Sequence, residues 1–156
     1  MDKTRALLNK VYQLPTLQPL FVMLQETMIT SSHYLEMAWR GQLVHTPGTG
    51  NSKGCVTLLN ADNQISNIKH YGNWGHCFNV KLGSGETVMI CNIYAPNGFD
   101  QTKTDFFHEV FQDLERWDGP LILTGDFNTT LGTEERHCRG VTAAEVRTVT
   151  MKLSFQ

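Results

Sequence analysis

Residues 121–128, LILTGDFN, run a short apolar segment into a glycine, an acid and, two places later, an amide. An apolar run of that length reads as a buried strand. Ending it on Asp126 is costly, because a carboxylate leaving an apolar segment must be hydrogen-bonded, paired or metal-bound. In extended backbone, residues two apart point the same way, so Asp126 and Asn128 would share one side and Phe127 would face the core. Gly125 permits a tight approach or an unusual backbone angle. The product is an acceptor-only carboxylate beside an amide that both donates and accepts, a pair suited to orienting water and holding an oxyanion. For an isolated GDFN the plainer reading has the advantage: Asp126 starts a turn and Asn128 satisfies its own backbone.

The surrounding pattern decides what kind of domain this strand belongs to. Before it, Phe106, Phe107, Val110, Phe111 and Leu114 fall on one face of a helix over 103–116, with Thr102 and Asp105 offering a capping box and Gly119-Pro120 ending it. Further upstream, TVMICNIY (87–94) alternates apolar side chains and forms a hairpin with HCFNVKL (76–82) across the glycine turn at 83–85. NQISNIKHY (63–71) reads as another strand before GNWG, and QLVHT (42–46) and KGCVTLLN (53–60) as two more around PGTGNS. LFVML (20–24) is short and continuously apolar, which suits a strand covered on both faces. Helical spacing is expected over 4–12, over part of 31–39, and from the TAAE capping box at 142 onward. Many strands with interspersed helices predict a mixed α/β (α+β) layer architecture, and 156 residues suit a single domain.

Two more strand ends carry chemistry. LQET (24–27) puts Glu26 just past an apolar strand, between hydrogen-bonding side chains, where a carboxylate suits a hard cation; the plainer reading is a solvated glutamate. NIYAPN (92–97) ends a strand on Tyr94 before Pro96 breaks the ladder, so Tyr94 and Asn97 can both donate to phosphate oxygens; the plainer reading is an aromatic followed by an Asx turn.

In this order, each ending a strand, LQET, NIYAPN and LILTGDFN resemble the endonuclease/exonuclease/phosphatase superfamily, and within it the endonuclease domain of LINE-type (non-LTR) retrotransposons. The resemblance runs over roughly residues 4–130 and includes KGCVTLL and the phenylalanine-rich helix. It implies a two-sheet β-sandwich flanked by helices, and Mg²⁺- or Mn²⁺-dependent phosphodiester cleavage with DNA as partner. Carried over, Glu26 is the metal ligand and Tyr94 and Asn97 touch phosphate. Asp126 orients or activates the attacking water, and Asn128 helps hold the phosphoryl oxygens.

The family pattern also has an Asn-bearing strand before its first helix and a Ser-Asp-His segment near its end, neither of which occurs in this sequence. The resemblance therefore implies one partial domain over 1–156, an incomplete sandwich whose uncovered strands could self-associate. A non-catalytic remnant acting as a protein-interaction module is the alternative to a nuclease. A phosphatase of lipid or sugar phosphates is a third possibility. His137 is a weak stand-in for the missing histidine, and His70 and His76 lack a third ligand at metal spacing.

Composition constrains the rest. The formal charge of −2 excludes a protein that grips nucleic acid by net basicity alone. No apolar run reaches the ~20 residues of a membrane span. The polar start MDKTRALLNK argues against a signal peptide, and four scattered cysteines with no CxxC pair argue for reduced thiols, so an intracellular setting is expected. Trp39, Trp74 and Trp117 read as packing residues, with Trp74 in its glycine-flanked loop the best placed to meet a ligand.

Overall fold

The computed structural model describes residue 5, residues 8–9, and residues 21–60, 63–98 and 100–128. The helix expected from residue 142, and His137 and Cys138, lie outside the described residues. The elements bounded within the described residues are, in chain order, β1 (Phe21–Leu24), α1 (His33–Ala38), β2 (Gln42–Thr46), β3 (Cys55–Leu59), β4 (Gln64–His70), β5 (Gly75–Lys81), β6 (Thr87–Tyr94), α2 (Gln101–Glu115) and β7 (Leu121–Asp126). Arg5, Leu8 and Asn9 are also helical, within the expected N-terminal helix. No described helix is long and apolar enough to cross a membrane.

The strands form two sheets, ordered β1-β3-β2 and β4-β5-β6-β7. Every pairing is antiparallel except β6 with β7, which runs parallel because α2 carries the chain back across the sheet. Period-two alternation explains how the sheets stack. From β3, Leu59 faces inward with Val44, Phe78, Val80 and Ile90 to make the core between the sheets. Val56 and Leu58 of the same strand face outward, and pack with Leu8 and Leu35 of α1. Likewise Cys91 and Ile93 of β6 face outward onto Phe106 and Val110 of α2. The fold is thus mixed α/β, two sheets flanked by helices.

Local detail departs from the sequence reading in α2. Its N-cap is Asp100, whose carboxylate accepts the Lys103 backbone N–H at 3.2 Å; the helix begins two residues before the expected start. Phe111, assigned to the apolar face, is 47% exposed, whereas Lys103 is buried. Lys69 of β4 bridges to α2 through Asp113 at 2.6 Å and Glu109 at 3.2 Å, and Tyr71 Oη donates to the same Asp113 at 2.9 Å. Cys55, Cys77 and Cys91 are buried free thiols. Burial pushes Cys55 up to about 12, so it is an inert packing group.

Candidate active site

Toward the C-terminal ends of β6 and β7 the inner core changes from apolar to polar. The inward positions there are Thr46, Thr57, His76, Asn92 and Thr124, all buried. His76 is pinned on both ring nitrogens, by Thr46 Oγ1 at 2.9 Å and Thr57 Oγ1 at 2.8 Å. Asn92 accepts from Gln25 Nε2 at 2.7 Å and donates to Val56 O at 3.2 Å, to Thr57 Oγ1 at 3.1 Å and to Leu24 O at 3.3 Å. These bonds tie the end of β1 to β6 across the two sheets. They fix where Glu26, the next residue after Gln25, leaves the strand.

Burial lowers His76 from the ordinary histidine value to about 3, and His70 and His45 act on it in the same direction. The folded chain therefore holds a neutral imidazole that the unfolded chain protonates below about pH 6.5. Stability is full above that value and is lost as pH falls toward 3. His45 and His70 are also lowered by burial and add with the same sign. Urea unfolding should show a loss of about 2 kcal/mol from His76 alone between neutral pH and about pH 5. A flat profile over that range would mean that the histidine layer is not closed.

Above this layer sit the strand ends. Tyr94 Oη donates to Glu26 Oε1 at 3.2 Å, joining residues 68 apart in the chain. Burial first, and then Glu26, push the Tyr94 hydroxyl above the usual phenol value; the Asn128 and Asn97 amides beside it pull the other way. Tyr94 therefore keeps its proton at neutral pH and acts as a donor. Register places Tyr94 directly opposite Asp126 on the parallel neighbour, so both side chains leave the same face of the sheet. Glu26, Tyr94, Asn97 and Asn128 thus meet around one hydroxyl, with Asp126 on the adjoining strand end. Glu26, Asn97 and Asp126 are exposed there, while Tyr94 is buried.

The GDFN segment satisfies both of its readings at once. Asp126 Oδ1 accepts the Asn128 backbone N–H at 2.9 Å, which is an Asx turn. Asn128 is not extended but left-handed, with φ 47°, so it does not simply repeat the direction of Asp126. The turn swings its side chain across to β6, where Nδ2 donates to Ala95 O at 2.6 Å. Phe127 does face the core, stacked on Phe107.

Lys103, which carried no expectation, reaches under the turn and donates from Nζ to Asn128 O at 2.5 Å. A lysine on the apolar side of an amphipathic helix was the signal for it. Glu26 and Met28 are likewise left-handed, at φ 50° and 57°. Non-glycine residues in this region are strained, and such residues cluster at functional sites.

Among the described residues no three His, Cys, Asp or Glu side chains come together to enclose a metal ion. The donors at this edge are oxygens: the Glu26 and Asp126 carboxylates, the amides and, next to Glu26, a Thr27 hydroxyl buried without a partner. That set fits Mg²⁺ or Mn²⁺, which take one or two carboxylates and leave the remaining positions to water and substrate phosphate.

No protein-family model matches the sequence, and no curated protein is significantly similar to it. Solved structures match by shape. A truncated Caenorhabditis elegans TDP2 superimposes with a TM-score of 0.57 at 12% identity, over 88% of this chain and 59% of that one. D. rerio TDP2, in a complex with a single-strand DNA product, gives 0.57 at 16% identity over 81% of this chain and 53% of that one. ANGEL2, described as a 2′,3′-cyclic phosphatase, gives 0.51 at 13% identity over 80% and 44%. TDP2 and ANGEL2 are members of the endonuclease/exonuclease/phosphatase superfamily, whose fold this chain shares. The chain spans about half the length of these structures.

Proposed function

We propose that this chain is a divalent-metal-dependent phosphodiesterase that cleaves nucleic acid, DNA in the first instance, and that it derives from the endonuclease domain of a LINE-type retrotransposon. The observation that carries the activity is the meeting of Glu26 and Tyr94, 68 residues apart, beside Asn97, Asn128 and the Asp126 strand end. The ancestry is supported by LQET, NIYAPN and LILTGDFN standing in that order. The complex of D. rerio TDP2 with a single-strand DNA product supports nucleic acid as the substrate class.

Each side chain has a role that its surroundings permit. Glu26 holds the cation. A bound Mg²⁺ or Mn²⁺ would supply Lewis-acid stabilisation of charge on the phosphorus oxygens. Tyr94 keeps its proton and donates either to Glu26 or to a phosphate oxygen that displaces it. Asn97, exposed in the loop after β6, offers amide donors to the same phosphate. Asp126 is an exposed carboxylate already aimed by its turn, and accepts the proton of the attacking water. Asn128 orients that carboxylate through its backbone N–H. Donors fixed in place before reaction stabilise developing charge without reorganisation.

The test is nicking of supercoiled plasmid by the purified chain in Mg²⁺ or Mn²⁺, with an EDTA control. Metal-dependent conversion to open circles is the expected result. Intact plasmid in both ions would reject the enzymatic reading and leave the interaction-module alternative.

A further inference from the structure

A cation stands beside this site that the catalytic roles above do not use. The Lys53 Nζ lies 4.0 Å from the centre of the Trp74 ring. Trp74 in turn stacks on Tyr94, with ring centres 6.2 Å apart and planes 23° from parallel. The loop that carries Lys53 is clamped on both sides. Met28 N donates to Lys53 O at 3.0 Å, and Thr27 N to Gly54 O at 3.1 Å, which ties it to the segment following Glu26. Gly54 N donates to Asn73 O at 3.1 Å, and Asn73 Nδ2 to Pro47 O at 2.8 Å, which ties it to the Trp74 turn.

Among the described residues no carboxylate forms an ion pair with Lys53. Its backbone is left-handed, φ 62°, a conformation in which glycine or asparagine would be at ease. Lys53, half-buried and without a carboxylate partner among the described residues, thus holds its ammonium against an aromatic ring from a strained backbone position, one residue-to-residue contact away from Tyr94.

Resting on the reading above, we infer that Lys53 binds a non-scissile phosphate of the substrate strand, with Trp74 holding its ammonium in place. The cation–π contact takes up one side of the ammonium and leaves it able to donate outward. A compact point charge of this kind suits a phosphate that positions the strand without being cleaved. The site would then take a polynucleotide in preference to an isolated phosphate ester, despite the chain's net charge of −2.

The test is fluorescence anisotropy of a labelled single-stranded oligonucleotide, titrated with the whole chain in Ca²⁺ at several salt concentrations. Lys53→Gly removes the charge and relaxes the backbone. It should keep the wild-type melting temperature and weaken binding on the order of tenfold, as for the loss of one charged contact. The slope of log affinity against log salt should shrink by roughly 0.7, one phosphate on a single strand. Lys53→Arg should restore the slope.

A labelled dinucleoside monophosphate, whose only phosphate is the scissile one, should bind wild type and Lys53→Gly alike. If that compound also loses affinity, Lys53 contacts the scissile phosphate itself and the inference fails. It fails too if the wild-type chain does not bind the oligonucleotide, or if Lys53→Gly binds it with unchanged affinity and slope. Lys53-dependent binding in a chain that nicks no plasmid would sink the proposed activity and leave this subsite standing. Nicking with Lys53-independent binding would do the reverse.

Discussion

Asp126→Ala will lower metal-dependent cleavage by a factor on the order of 10²–10⁴, the range lost when a positioned acid or base is removed. The same change should cost only about 1 kcal/mol of stability, since Asp126 is exposed and the loss is one hydrogen bond, that from Asn128 N. The two effects are separable because the turn and the proposed catalytic role ask different things of the carboxylate. As the acceptor of the Asx turn it needs only an oxygen at Oδ1. As acceptor of the water proton it needs the negative charge. Asp126→Asn keeps the first and removes the second. It should therefore melt like the wild type and cleave as poorly as the alanine variant. Plasmid nicking rates beside urea midpoints for the three proteins read both effects. An asparagine variant with wild-type rate would reduce Asp126 to a turn residue and transfer the chemistry elsewhere.

How far the sequence foretold this arrangement depends on the range of the interaction. The strands were legible because alternation is local. In TVMICNIY, Ile90, Asn92 and Tyr94 point inward and Cys91 and Ile93 outward, as period two requires. The strand pattern gave the mixed α/β class, and the two-sheet layering came from the resemblance alone. The helix α2 was legible as an element and in most of its facing, since Phe106 and Val110 are buried on the sheet with Phe107 and Leu114 packed beside them. An amphipathic stripe drawn from apolar residues alone put Phe111 inside and ignored Lys103, whereas the structure exposes the phenylalanine and buries the lysine, whose ammonium reaches the Asn128 carbonyl.

The polar layer was not legible at all. Asn92, Thr57, His76 and Thr46 come from four different strands, and nothing within any one strand says which polar side chain it will face across the gap. His76 read as a weak metal candidate beside His70, but in the fold its two nitrogens are taken by threonine hydroxyls. The strand ends could be proposed as a site because each motif stops its strand in a recognisable way. That Glu26 reaches Tyr94 was decided by Asn92, a residue that carried no expectation by itself.

Gly125→Ala will unfold or splay this edge, with a loss on the order of 3–4 kcal/mol from overpacking and backbone strain together. A Cβ built at Gly125 stands 2.0 Å from Ile93 O and 2.8 Å from Ile93 Cγ1, and the backbone has φ 153°. The nearest obstacle is main chain of the paired strand, so no rotamer change relieves it. Ile93 and Gly125 are register partners one step before Tyr94 and Asp126. Pushing them apart also breaks the Ala95 N–H to Asp126 O hydrogen bond at 2.8 Å, the last rung before the site. Stability and cleavage should therefore fall together, unlike in Asp126→Asn. Gly83→Ala is the matched control: its Cβ would meet nothing within 4 Å and its φ is not left-handed, so it should change stability by about half a kcal/mol at most. Equal urea midpoints for the two alanine variants would show that β6 and β7 do not approach as closely as this, and Tyr94 and Asp126 would lose their shared face.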